Sequence, residues 1–141
     1  MLTRAFNILA SDSTHPNPAV RCELVLELSL AAGAHGMVGG QMIDLKAADS
    51  GLDIGGITRL QRLKTGRLID FSAQAGAILG RAPLSAREAL RGYSHDLGLA
   101  FQIADDLLDV VGNAETVGKA TQKDAGRNKA TFVSMLGVEK A

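Results

Sequence analysis

The amino-acid sequence predicts an all-α fold, and three observations lead to that prediction. Apolar residues recur at helical spacing over most of the 141-residue chain, and no segment needs the strict alternation of a half-buried strand to explain it. Aromatic residues make up only 4% of the chain and tryptophan is absent, which is unusual for an antiparallel β protein. Only three prolines are available to interrupt helices.

The first helices follow from the apolar spacing and from the positions of proline and glycine. A helix is expected over the opening residues up to about residue 10, with no capping residue before it, which suggests a chain cut from something longer. Pro18 is placed for the first turn of a second helix that runs to Ala32. The glycine-rich segment 33–40 predicts close packing of helices, with a kink, rather than a loop.

The second half of the chain predicts two longer helices separated by turn-forming residues. A loop rich in aspartate and glycine is expected over residues 48–56, followed by a helix from about Ile57 to Leu79. Ser85 and Glu88 are spaced as a capping box and predict the start of a long helix that ends near Val111.

Length and composition exclude several classes of protein. The chain has the length of one domain, so residues 1–141 are expected to form a single unit. Hydrophobic residues contribute 46% and charged residues 21%, which argues against intrinsic disorder. The formal net charge of zero argues against binding to nucleic acid or to an anionic membrane surface. With no long apolar run, no export signal and one cysteine, the composition predicts a cytoplasmic protein that does not insert into membranes.

An acidic cluster on the long helix is the strongest chemical signal. Asp105 and Asp109 lie one helical turn apart, Asp106 flanks them, and Gln102 lies one turn earlier on the same face. The helix is otherwise apolar, so these carboxylates are costly unless they are paired or bound to a metal. Mg²⁺ accepts one or two carboxylates together with waters and substrate phosphates. A solvated acidic stripe is the alternative, and the apolar surroundings favour a metal site over it.

Basic and polar residues elsewhere in the chain could complete a diphosphate site. Lys64 stands beside Thr65, and Lys119 and Lys129 follow the acidic helix in a polar segment. An ammonium group binds phosphate as a point charge with three donors. Acidic metal ligands combined with several lysines suit a diphosphate held between Mg²⁺ and ammonium groups, although each lysine alone could be an ordinary surface charge.

A third, weaker signal is the segment GGQMID. Gln41 and Asp44 are three positions apart, so they share one face of a helix. The glycines before them permit close approach of a ligand or of another backbone. A polar contact between core helices is an equally good interpretation of this pattern.

These residues together resemble a known family. The segment FQIADDLLD resembles the second aspartate-rich motif, DDxxD, of the trans-isoprenyl diphosphate synthases, the polyprenyl synthetase family. The segments GMVGGQMIDL, KTGRLI and GKATQKDAGRNKATFVSMLG stand in the order that this family uses. The resemblance covers nearly the whole chain and is greatest to the bacterial farnesyl diphosphate synthases, also called geranyltranstransferases.

The resemblance implies a fold, an activity and a set of site residues. The fold would be the antiparallel helical bundle of the isoprenoid synthases, present here as its carboxy-terminal half. The activity would be condensation of dimethylallyl or geranyl diphosphate with isopentenyl diphosphate, in a homodimer that uses Mg²⁺. The resemblance assigns the metal to Asp105, Asp106 and Asp109, and catalysis to Lys64 and Asp105. It assigns substrate binding to Gln41, Lys64, Thr65, Gln102, Lys119 and Lys129. Asp44 would lie in the layer of residues behind these ligand-binding side chains.

The first aspartate-rich motif of that family has no counterpart in this chain. Half of the metal clamp would neutralise the leaving diphosphate from one side only. An alternative is therefore a truncated, catalytically impaired subunit that binds diphosphate or pairs with a complete synthase. A terpene cyclase is disfavoured by the lysine-threonine pair and the later lysines, and a helical domain without a ligand is the remaining alternative. The resemblance implies that residues outside this chain determine the chain length of the prenyl product.

Overall fold

The computed structural model describes residues 1–50, 52–111, 131, 133 and 136–139, and the regular elements within these ranges are helices. The all-α prediction is therefore confirmed. No helix in the described ranges is long and apolar enough to cross a membrane. In chain order the elements are α1 (Leu2–Ala10), α2 (Pro18–Ala32), α3 (Met37–Ser50), α4 (Ile54–Gln61), a π-helical segment (Arg62–Gly66), α5 (Arg67–Leu79) and α6 (Leu84–Val111).

Side-chain caps define the starts of α2 and α4. Asn17 Oδ1 accepts a hydrogen bond from the Ala19 backbone N–H at 2.9 Å, and Pro18 occupies the first helical position. Asp53 Oδ1 accepts from the Gly56 backbone N–H at 2.7 Å. Each cap satisfies a backbone donor that the first turn of a helix leaves unpaired.

The middle of the chain is more helical than the sequence predicts. The expected loop over residues 48–56 is shorter, because α3 continues to Ser50 and α4 already begins at Ile54. The expected continuous helix from Ile57 to Leu79 is divided by the π-helical segment. Periodicity alone did not predict this interruption, since a π turn shifts the register without a glycine or proline signature of its own.

The predicted capping box at the start of α6 does not form. The helix begins at Leu84, so Ser85 is already its second residue and cannot occupy the capping position before Glu88. The carbonyl of Pro83 accepts instead from the Ala86 backbone N–H at 3.1 Å. The residue before the helix is therefore a proline, which has no side-chain oxygen to cap with.

The apolar core lies where α1, α2 and α5 meet. Val20 and Leu24 of α2 form a buried cluster with Ile78 of α5, and Leu9 and Ala75 pack against it. α5 lies between α2 and α6 and packs against both. α5 and the π-helical segment that precedes it are therefore the central elements among the described helices.

Polar contacts determine the position of α6 along α5. The Gln74 Nε2 atom donates to the Arg87 carbonyl at 2.9 Å, and the Arg87 guanidinium forms an ion pair with Glu23 at 2.6 Å. Further along α6, the buried Ser94 hydroxyl donates to Asp70 Oδ1 at 2.8 Å. These directional contacts fix how far α6 is displaced along α5, and so where its acidic end lies.

Several of the described helices expose apolar residues, among them Leu26 and Leu30 of α2. On α6, Tyr93 is 61%, Leu97 43% and Phe101 55% exposed, at the spacing of one helical face. On α3, Met42 and Leu45 are exposed as well. Contiguous apolar surface of this kind marks contact with another protein surface.

We expect the 141-residue chain to associate at micromolar concentration into a dimer or a larger species, because association removes these faces from water. Multi-angle light scattering measures the mass directly. Replacing Tyr93 and Leu97 together by serine should shift the population toward monomer, while the equally exposed and polar Asp96→Asn should not. A wild-type monomer that melts cooperatively would contradict the expectation.

Candidate functional site

The π-helical segment carries the predicted lysine-threonine pair. Lys64 and Thr65 are both partly exposed on it, and the segment packs against α3 on one side and α6 on the other. Short π-helical insertions occur frequently at functional sites, because they re-aim side chains relative to a regular helix. The segment thus places the predicted phosphate-binding lysine between the two other helices that carry predicted site residues.

An ion pair joins this lysine to α3. The Lys64 Nζ atom lies 2.5 Å from Asp44 Oδ2, with the lysine side chain 31% and the aspartate side chain 13% exposed. Charge-assisted hydrogen bonds of this kind are short and directional. An ammonium group has three donors, so Asp44 can orient Lys64 while other donors remain for an anion. Sequence analysis placed Asp44 behind the site and did not predict that it contacts Lys64.

Gly40 allows α3 to approach the π-helical segment this closely. A Cβ atom at position 40 would lie 2.3 Å from the Lys64 backbone nitrogen and 2.6 Å from its Cα atom. Such distances are shorter than any tolerated contact, so the helix can reach this position only with glycine. The sequence interpretation of close packing is confirmed at this position, but residues 33–36 form a turn between α2 and α3 and not the kinked helix that was expected. Gln41, the next residue, is exposed.

A second close approach brings α6 to the other side of the segment. A Cβ atom at Gly98 would lie 3.5 Å from the Gly66 Cα atom, so the two backbones are in near contact. Gln102 and Asp105 follow on α6, and both are partly exposed. The predicted polar residues of α6 therefore continue from the point where this helix touches the lysine segment.

The three neighbouring carboxylates on α6 are not equivalent. Asp106 and Asp109 are buried at 7% and 8% exposure, whereas Asp105 is partly exposed. Gln61, the last residue of α4, donates from Nε2 to Asp106 Oδ2 at 3.5 Å. Sequence analysis missed Gln61, because a single glutamine near a lysine carries no recognisable signal. Its role depends on a partner 45 positions away.

The described residues do not bring three aspartate, glutamate, histidine or cysteine side chains together around one metal position. Mg²⁺ needs only one or two carboxylates when waters and phosphate oxygens complete its shell. The oxygen donors of this cluster therefore fit Mg²⁺, with Asp105 the most accessible of them. Joint coordination by Asp105, Asp106 and Asp109 stays a prediction.

The structure brings together part of the predicted site. The π-helical segment carries Lys64 and Thr65, Lys64 pairs with Asp44 of α3, and Gln61, directly before the segment, contacts Asp106 of α6. Lys119 and Lys129 lie outside the described residues, so their substrate contacts stay predictions.

A separate cavity of about 630 Å³ lies between α2, α5 and α6. Its lining includes Gln61, Gly66 and Ser94 but none of the predicted catalytic, metal-binding or substrate-binding residues. The cavity therefore adjoins the candidate diphosphate site through Gln61 and the π-helical segment.

Comparison with known proteins agrees with the motifs. The sequence model of the family Polyprenyl synthetase matches residues 1–141. The chain is 39% identical over 142 residues to the farnesyl diphosphate synthase of Bacillus subtilis (strain 168). The aligned region covers 100% of this chain and 48% of that protein. The chain thus spans about half the length of the curated relatives it matches.

Solved structures share the helical arrangement. An FPP/GFPP synthase from Zymomonas mobilis, solved in the apo form, is 48% identical with a TM-score of 0.82, over 98% of this chain and 45% of the other. The Helicobacter pylori geranyltransferase, solved in complex with magnesium and isoprenyl diphosphate, is 30% identical with a TM-score of 0.86, over 97% of this chain and 44% of the other.

Gly40→Ala should destabilise the chain, because the new methyl group must push α3 away from the Lys64 backbone. We expect a loss of about 1–3 kcal/mol in the free energy of unfolding, as for overpacked cores. Gly92→Ala on α6 is the control: no heavy atom lies within 4 Å of its added Cβ, so it should stabilise by about 0.5–1 kcal/mol. Urea unfolding measures both, and equal effects of the two substitutions would contradict the packing argument.

Proposed function

Since the chain belongs to the polyprenyl synthetase family, we propose that it forms the diphosphate-binding part of a prenyltransferase. The reaction condenses an allylic diphosphate, dimethylallyl or geranyl diphosphate, with isopentenyl diphosphate to a short-chain, farnesyl-like diphosphate. The observation that carries this proposal is the Lys64–Asp44 ion pair on the π-helical segment, together with the contact that Gln61, the residue directly before this segment, makes with Asp106 of α6.

Binding of the allylic diphosphate begins with the cationic side of the site. Asp44 orients the Lys64 ammonium, and the donors that remain on Lys64 bind the phosphate oxygens. The Thr65 hydroxyl and the Gln102 amide are proposed to add neutral donors, and Gln41 of α3 lines the same side. Lys119 and Lys129 are proposed to cover the diphosphate once it is bound.

The chemical step needs charge stabilisation more than acid or base catalysis. The allylic C–O bond breaks with its electron pair leaving on the diphosphate, the double bond of isopentenyl diphosphate attacks the allylic carbon, and a proton is then lost. Lys64 stabilises the negative charge that grows on the leaving group. Bound Mg²⁺, proposed to be held chiefly by Asp105, with Asp106 and Asp109 behind it, would supply further neutralisation of that charge.

A second candidate is a subunit that binds diphosphate without turnover by itself. The observation that favours it is the set of apolar faces that α3 and α6 expose, which a partner subunit could cover. Assay of the 141-residue chain with geranyl and isopentenyl diphosphates separates the two functions. Product formation supports the transferase, whereas binding without product supports the subunit.

The setting of this activity is proposed to be a cytoplasmic homodimer. The exposed apolar faces support association, and both substrates are charged molecules of the aqueous phase. The formal net charge of zero gives the chain no general attraction to nucleic acid or to anionic lipid.

Mg²⁺ with pyrophosphate should raise the melting temperature of the chain, because a ligand that binds only the native state stabilises it by mass action. Differential scanning fluorimetry at millimolar concentrations of both measures the shift. Lys64→Ala should abolish most of the shift, while Lys46→Ala, which removes an exposed lysine from α3, should retain it. No response of the wild-type chain would count against the site.

Asp105 should contribute more to turnover than Asp109, because it is the accessible carboxylate and Asp109 is buried. In a full-length synthase carrying this segment, Asp105→Ala should lower kcat/KM by about 100- to 1000-fold, as does loss of a direct charge-stabilising contact. Asp109→Ala should cost nearer to 10- to 100-fold, as for residues that support a ligand. Steady-state kinetics with geranyl and isopentenyl diphosphates decide the order, and a larger loss at Asp109 would reverse the assignment.

A further inference from the structure

Gln61 connects the lysine segment to the acidic end of α6. It is the last residue of α4 and directly precedes the π-helical segment that carries Lys64. Its side chain is 8% exposed, and its Nε2 atom donates to Asp106 Oδ2 across the interface with α6. The contact is buried on both sides, since Asp106 is 7% exposed.

The rotation of α6 about its own axis determines which carboxylate can meet a ligand. Successive side chains on an α-helix point about 100° apart, so an Asp106 turned toward Gln61 leaves Asp105 pointing to a neighbouring sector. Asp105 is the partly exposed carboxylate of the cluster. Asp109, one turn after Asp106, lies on the same side of the helix and is buried as well.

The same short stretch of chain also orients the lysine. Lys64 follows Gln61 by three positions and is tied to Asp44 of α3. One end of the stretch is therefore anchored to α6 and the other to α3. The distance between the Lys64 ammonium and the Asp105 carboxylate depends on both anchors, and a diphosphate bridging the two groups needs that distance to be kept.

We infer that Gln61 is a positioning residue of the diphosphate site: its amide holds Asp106 on the buried side of α6, so that Asp105 is presented to the metal-diphosphate ligand beside Lys64. The inference rests on the proposed binding of diphosphate by Lys64 and Asp105. A neutral amide suits this role, because it donates to a carboxylate without adding a cation that would compete with a metal ion.

A purely structural role for Gln61 makes a different prediction, and Gln74 provides the matched control. Gln74 is 6% exposed, and its Nε2 atom also donates across to α6, to the Arg87 carbonyl at 2.9 Å. Both glutamines therefore bond to α6 from a buried position, Gln61 from the end of α4 and Gln74 from α5. Only Gln61 contacts a residue of the acidic cluster.

The experiment measures how much Mg²⁺ the 141-residue chain needs to bind pyrophosphate. Isothermal titration calorimetry at a series of Mg²⁺ concentrations gives the half-saturating concentration for each variant. Gln61→Glu keeps the size of the side chain but repels Asp106, and Gln61→Leu removes the donor. We expect the half-saturating Mg²⁺ concentration to rise about 10-fold or more in both, and Gln74→Leu to stay within about twofold of wild type.

Stability and positioning can be separated in these variants. Among the described residues, no hydrogen-bond partner reaches the buried Gln61 Oε1, so Gln61→Leu also removes an unfavourable unpaired atom, which limits its cost to folding. Thermal unfolding without ligand is recorded for each variant, and Gln61→Glu serves if the leucine variant does not fold. In an Asp106→Asn background, Gln61→Leu should add no further rise in the Mg²⁺ requirement, because the carboxylate it positions is already gone.

The outcomes distinguish this inference from the proposed function. If the wild-type chain binds pyrophosphate in a Mg²⁺-dependent way and the Gln61 variants behave like Gln74→Leu, the positioning role is wrong and the proposed function stands. Additive effects of Gln61→Leu and Asp106→Asn would overturn it in the same way. If the wild-type chain shows no Mg²⁺-dependent binding, the proposed function fails and the positioning role falls with it.

Discussion

The close contact between α3 and the π-helical segment is the constraint on which the candidate site depends. Gly40 lets the α3 backbone reach the Lys64 backbone, and at that distance the Asp44 carboxylate meets the Lys64 ammonium at 2.5 Å. A side chain at position 40 would separate the two elements and lengthen the ion pair. Steric fit thus comes first here, and the electrostatic interaction follows from it.

A different set of contacts, made with α4, the π-helical segment and α5, determines the position of α6. Ser94 bonds to Asp70, Gly98 passes close to Gly66, and Asp106 accepts from Gln61. These contacts are spread along the helix and involve polar or small residues rather than large apolar ones. Directional contacts of this kind fix the displacement and rotation of a helix more narrowly than apolar packing, which tolerates sliding.

Local arrangement, and not overall charge, creates the electrostatic character of the site. The chain as a whole carries no formal net charge. The structure nevertheless places a partly buried ammonium on one short segment, and the residue before that segment contacts the acidic cluster, in which two carboxylates are buried and one is partly exposed. Interactions inside such a partly buried site are screened much less than those on the surface. A ligand with several negative charges and bound cations suits this arrangement.

The sequence by itself determined the class of the fold, most helix positions and the chemical groups of the site. Helical periodicity is a local property, and it predicted α1, α2 and α6 to within a few residues. The motif around Asp105 and the lysine-threonine pair at Lys64 indicated the family, which the match over residues 1–141 shows. Both kinds of signal reside in residues that are close together in the chain.

The tertiary structure alone decided which of these groups meet and which are presented. The π-helical segment, the Lys64–Asp44 pair and the Gln61–Asp106 contact join residues that are distant in sequence or depend on a shift in helical register. The unequal burial of Asp105 and Asp106 is likewise set by the helices that pack against α6. Local patterns cannot predict such contacts, because each one depends on the free energy of packing several helices together rather than on the preference of any one segment.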